Sequence, residues 1–280
     1  MQDGAGSPMY GAQMPWVELY ESLLEYDGGD AYDDVLNPWA ADNEAERDWI
    51  ADFQWRASGP QSPASDEELC QLYAIFRVTS LLLLRFQFGI ADASEFPGPP
   101  ITMEGLTAFH QRLGFQIHNT SEFHPFYHEI LSVTSSPVAD SPVSVENTSW
   151  PCLMLGDMMF CRSGAHVCAG SAHVDKSVAE SSRLHWTYRR KDRPYGDQSH
   201  GWGSNSQWRT RLRRDYRTAA GYHFNVDARS SLNNCRGVVD DLPVSVWIEL
   251  VRHRSLVKST VDDSDLYPYP FSYFERFSND

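Results

Sequence analysis

The sequence predicts an α+β fold, with N-terminal helices packed on a mostly antiparallel C-terminal sheet. Three observations carry that expectation. Apolar residues recur at helical spacing up to about residue 122. Ser65-Asp-Glu-Glu68 has the pattern of a capped helix start. From about residue 123 the apolar stretches shorten, become β-rich and are bounded by Pro, Gly, Ser and Asp.

Taken in order, residues 1–15 are rich in Gly, Met and Gln and read as a mobile lead-in. Trp16, Leu19, Tyr20, Leu23 and Leu24 place a helix over 16–26. After Asp42 and Asn43, the positions of Trp49, Ile50, Phe53 and Trp55 place another over 44–56, and Gly59, Pro60 and Pro63 mark a linker. The stretch from Leu69 to Phe88 is apolar almost all round, interrupted by Arg77, Arg85 and a few polar residues. It reads as a long central helix buried on most faces. A further helix over 102–113 stops at Gly114.

Strands are expected over 126–133, 143–145, 153–160, 184–189, 222–226 and 244–251. Tyr267-Pro-Tyr-Pro-Phe271 cannot be regular helix and reads as a surface strap. These readings give a helical region over 16–122 and a β-rich region over 123–280, integrated into one domain from about residue 66 onward.

Composition narrows the function. Of the 280 residues, 41% are hydrophobic and 13% aromatic, which excludes global disorder. Purely apolar runs such as Leu81–Leu84 fall far short of the roughly 18 residues of a membrane span, so no membrane partner is expected. Residues 1–15 show no basic segment followed by an apolar one, and the five cysteines form no C-x-x-C pair. Reduced thiols and a cytoplasmic location are therefore expected.

The net charge of −15 is unevenly spread. Residues 1–70 carry sixteen acids against Arg47 and Arg56, a local −14, whereas residues 183–217 carry ten bases against three acids, a local +7. Docking of the first stretch on the second is one expectation. The acidic total makes nucleic acid an unlikely partner. No G-x-S-x-G, P-loop or dinucleotide-binding glycine pattern is present, and no cofactor is implied.

The densest polar and aromatic segment runs from Ser199 to Tyr216. Trp202, Asn205, Gln207, Trp208 and Arg209 are its candidate ligand-binding residues, with His200 catalytic and Gly201 and Gly203 permitting close backbone approach. Ser204 or Asn205 could start a short helix through Leu212 whose N-terminus would favour an anion. The alternative is a turn whose tryptophans fill the core. In His124-Pro-Phe-Tyr-His128, an extended backbone would put His124 and His128 on one face, as an acid and base contributed to the same pocket. Backbone capping by both histidines is the plainer reading. His173, Asp175 and His223 imitate a two-histidine, one-carboxylate metal set, although such spacing also arises from composition alone.

Two functions follow as expectations. One is an enzyme or ligand-binding domain acting on a small anionic or polar molecule. The other is an acidic antagonist or immunity-type protein that neutralises a basic partner through residues 18–68.

Overall fold

In the computed structural model, the structure describes residues 8–87, 96–182, 208–262, 266 and 270–277. The N-terminal half supplies α1 (Met14–Glu25), α2 (Asn37–Asp42), α3 (Glu44–Arg56), α4 (Asp66–Leu83) and α5 (Met103–Arg112). Ser65 and Glu68 form the expected capping box: Glu68 N donates to Ser65 Oγ at 3.2 Å, and Ser65 N to Glu68 Oε2 at 2.7 Å. Thr102 caps α5 through Gly105 N at 3.0 Å.

Helix α4 is the spine, buried along most of its length. The window Asp66–Phe86 has the length and mean hydropathy (1.4) of a membrane span, yet 83% of it is buried inside the protein. Trp16, Leu19 and Leu23 from α1, Ile50 and Phe53 from α3, and Leu106 and Phe109 from α5 close around it.

The strands are β1 (Gln116–His118), β2 (His128–Ser135), β3 (Ser144–Trp150), β4 (Cys152–Leu155), β5 (Met158–Cys161) and β6 (Ser163–Ala169). After α6 (Lys176–Ser181) come β7 (Asp215–Thr218), β8 (Gly221–Phe224), β9 (Ser230–Ser231), β10 (Val238–Val239) and β11 (Leu242–Pro243). Helix α7 (Val244–His253) and β12 (Phe271–Arg276) complete the described elements.

The main sheet has the order β1-β4-β5-β7-β8-β12-β9 and is antiparallel except where β12 meets β9. Its residues alternate between two cores, as the pleat requires. Leu153, Leu155, Met158 and Phe160 pack on the N-terminal helices, while Cys152, Met154 and Met159 pack with Trp247, Leu250 and Val251 of α7. A second sheet, β2-β6-β3, pairs β2 with β6 in parallel and buries Ile130, Val133, Ala165 and Val167.

Several boundaries differ from expectation. The stretch 153–160 is two strands, parted at Gly156 (φ +60°) and Asp157. The stretch 244–251 is a helix. Its buried residues Val246, Trp247, Leu250 and Val251 fall at helical spacing, and Pro243 stands at the cap position. A nearly unbroken apolar run carries no visible period, so the strand reading could not see this. Of the expected strap, Phe271 opens β12 and pairs with Ser230 of β9. The 184–189 strand and Tyr267–Tyr269 lie outside the described residues.

Candidate functional site

The chain leading into β7 is extended, so neighbouring side chains point to opposite faces of the sheet. Arg214 and Tyr216 turn to the N-terminal helices, where Arg214 bonds Ser62 O at 3.1 Å and Tyr216 bonds Ala57 O at 2.7 Å. Arg213 and Asp215 turn to α7, where Arg213 Nη2 donates to Val251 O.

Asp215 is fully buried and lies at the centre of a guanidinium cluster. Its Oδ1 accepts from Asn225 N at 2.7 Å and Arg213 Nε at 2.8 Å. Its Oδ2 accepts from Arg213 Nη2 at 3.1 Å and from Arg162 and Arg254 Nη2 at 3.4 Å each. Burial alone would raise the Asp215 carboxyl, but the charges of Arg213, Arg254 and Arg162 hold it below the usual carboxylate range.

Two of the groups on Asp215 come from left-handed backbone: Asn225 (φ +54°) and Arg254 (φ +58°). Asp240 and Asp241 are the other non-glycine residues with positive φ among the described residues. Such conformations persist where the surroundings over-determine them, and here both residues are held by the same carboxylate.

The cluster is incompletely neutralised. Arg162 Nη2 also donates to Arg252 O at 2.8 Å, so Arg162 and Arg213 together satisfy carbonyls at the C-terminus of α7. Half-buried Glu129 adds a second negative charge that favours the Arg162 cation. Three arginines thus face two carboxylates. Among the described residues, Arg162 Nε and Nη1 and Arg254 Nε have no hydrogen-bond partner, although Arg162 is only 3% exposed. Burial, followed by repulsion from Arg254, pushes the Arg162 pKa well below its ordinary value.

Histidines line the adjoining rim. His253, between Arg252 and Arg254, is half-buried and stacks on Phe123 with ring centroids 6.3 Å apart. Burial and the Arg252 and Arg162 charges push its pKa well down, so the ring is neutral near pH 7. Arg252 pairs twice with Glu275, at 2.8 and 2.7 Å, and His124 Nε2 lies 3.8 Å from the same carboxylate. Burial opposes ionisation of Glu275, but His124 and Arg252 together lower its pKa.

The structure does bring His124 and His128 together, by a turn rather than an extended strand. His124 O accepts from Tyr127 N at 3.0 Å and His128 N at 2.9 Å. His124 Nδ1 accepts from Phe126 N at 3.1 Å, and His128 Nδ1 from His124 N at 3.2 Å. The His128 ring also bonds the Thr120 backbone, and its burial lowers its pKa. Both imidazoles therefore brace the 120–128 loop.

His200, Trp202, Asn205 and Gln207 lie outside the described residues. Trp208 packs in the helical layer on Tyr20 and Arg77, with ring centroids 5.4 Å apart and the guanidinium 4.1 Å away. Arg209 is exposed. The helix expected through Leu212 is absent over 209–214. Leu212 N is drawn to Leu69 O at 2.9 Å, and Arg213 and Arg214 go to separate carboxylates, Asp215 and Asp227. Trp208 packs with the core formed on the N-terminal helices, and Phe126 and Tyr127 of the His124–His128 turn pack with the core under α7.

The three metal candidates are also apart in role. Asp175 caps α6 through Ser177 N at 2.8 Å and Val178 N at 3.2 Å. His173 is exposed beside Asp140, and His223 stacks on Phe274 at 4.3 Å. Among the described residues, no group of three or more His, Cys, Asp or Glu could hold a metal ion.

Sequence reasoning missed Arg162, Arg254 and His253. The signal for the last two was Arg252-His253-Arg254, a polar triplet closing an apolar run. Arg162 carried no comparable mark. No family model matches the chain, and neither does any curated protein or solved structure.

Proposed function

We propose that the protein binds a small oxyanion at the end of α7, between Arg162, Arg254 and His253. The unfilled Arg162 and Arg254 N–H groups carry this reading. A buried donor without a partner costs on the order of 1–3 kcal/mol, more when charged, and a multiply charged oxyanion would satisfy several at once. The ligand class is the one the sequence suggested, held by different arginines.

Inorganic phosphate is the probe. It should raise the melting temperature saturably, by up to about 2.7 kcal/mol of added stability at a hundredfold excess over Kd. Arg254→Gln should remove that response while the chain still folds. A melting temperature indifferent to phosphate and sulfate, or an unchanged response in Arg254→Gln, would overturn the reading.

A second reading, docking of a basic protein, rests on the N-terminal surface. Of the fifteen acids within residues 8–68, twelve are exposed. Trp55 is 80% exposed beside a cleft of about 630 Å³ lined in part by Gln54, Gly156 and Asp157. Polylysine should bind there with salt-dependent affinity that Trp55→Ala weakens. No binding at low salt would exclude this reading.

A further inference from the structure

On α4, Tyr73, Arg77 and Ser80 share one face, at spacings of four and three residues. Arg77 is 5% exposed, yet its Nε and Nη1 have no hydrogen-bond partner among the described residues. Ser80 Oγ, one turn further on, is buried and likewise unpartnered. The guanidinium lies 4.8 Å from the Tyr20 ring and 4.1 Å from the Trp208 ring. No carboxylate pairs with it among the described residues.

The surroundings differ from those of the α7 cluster. Tyr20, Tyr73, Trp208 and Thr210 are each half-buried, and the Tyr73 hydroxyl bonds Thr210. They make a largely aromatic rim, partly open to solvent, around a buried cation. Cation–π contact with two rings offsets only part of the cost of taking a guanidinium out of water, and Arg77 Nε and Nη1 still lack an acceptor among the described residues.

We propose that this is a binding site for a small organic carboxylate with an apolar body. Its carboxylate accepts from the Arg77 guanidinium and from the Ser80 hydroxyl, and its body lies against Tyr20, Tyr73 and Trp208. One guanidinium matches one carboxylate charge, and the rim favours carbon over water. A phosphate dianion would bring a second charge that nothing here matches. The site is independent of the oxyanion site at α7.

The test uses the full chain labelled with 5-fluorotryptophan, followed by fluorine NMR, with the Trp208 resonance identified by its loss in Trp208→Phe. Benzoate should shift that resonance saturably. Acetate should do so at least tenfold more weakly, and inorganic phosphate should leave it in place. Arg77→Lys, which keeps the charge but loses the planar fork, should weaken benzoate binding at least tenfold. Should that variant not fold, Ser80→Ala should weaken it severalfold. Arg254→Gln, which disables the α7 site, should leave the benzoate response intact, so either proposal can fail alone. A Trp208 resonance unmoved by benzoate would overturn the proposal. So would a preference for phosphate, or equal benzoate affinity after substitution of Arg77 or Ser80.

Discussion

Arg213 and Arg214 are neighbours in the chain but end on opposite faces of the sheet. On the helical face, Arg214 is fully engaged, with Asp227 at 2.8 and 2.5 Å, Ser62 O at 3.1 Å and Tyr216 Oη at 3.1 Å. On the α7 face, Arg213 joins Arg162 and Arg254 around Asp215, and N–H groups of Arg162 and Arg254 are left over. The same residue type at the same depth thus serves two purposes. Complete hydrogen bonding marks a structural brace that ties β7 to the 57–62 turn, whereas surplus donors mark the place where we propose that an anion binds.

The sharpest way to break this comparison is Asp215→Asn. It leaves three buried guanidinium groups without their central charge, and removal of one partner from a buried ion pair typically costs about 3–5 kcal/mol. Urea unfolding should report a loss of that size. A loss below 1 kcal/mol would show that the arginines do not depend on Asp215.

Acid tests the helical face separately. His110 is buried with Nε2 at 2.9 Å from Thr79 Oγ1 and Nδ1 at 2.8 Å from Leu106 O, and burial lowers its pKa to about 4. The unfolded chain takes up this proton near pH 6.5, before the folded chain does. Stability should therefore fall as pH drops through 6.5 and stop falling on this account below about 4. The difference amounts to about 3 kcal/mol. His128 and His253 add contributions of the same sign. His110→Asn should flatten the stability–pH curve by about the His110 share, and an unchanged slope would place the acid lability elsewhere.

The two faces should also respond differently to losing an arginine. Arg214→Met strands Asp227 and the carbonyl of Ser62, at a cost of about 1–3 kcal/mol. Arg162→Met removes a guanidinium whose donors are only partly used and which Arg254 and Arg213 repel, while Asp215 keeps both of those partners, so the loss should be smaller. Chemical denaturation of the pair should rank Arg214→Met as the more damaging. The reverse order would make Arg162 the brace.

The smallest effect concerns the acidic and basic segments. Arg211–Asp66, at 3.0 Å, joins them, but both side chains are exposed. Arg211→Ala should cost about 0.2–1 kcal/mol, and less in high salt. A loss of several kcal/mol would restore charge docking as a major force.

Local signals and long-range ones were unequally legible. Ser65 and Glu68 announce α4 because a capping box needs only four residues of chain. The apolar period of α1 and α3 was similarly plain. Helix α7 was hidden because Val244–Val251 is apolar at nearly every position, and only burial shows which side faces the core. The site was harder still. Arg162 and Asp215 are far apart in sequence and meet only through pairing of β5 with β7. Arg77 was visible as a charge in an apolar helix, but its ring partners Tyr20 and Trp208 come from distant segments.

Arg254 joins backbone conformation to charge in a way that sets two demands against each other. A left-handed residue with a β-carbon costs about 1–2 kcal/mol that glycine avoids. Arg254→Gly would ease the turn after α7 and in the same step withdraw a guanidinium from Asp215. Selection of variants for thermal endurance alone would favour that exchange, and selection for anion capture would reject it. Position 254 is therefore where a trade-off between robustness and activity should surface first.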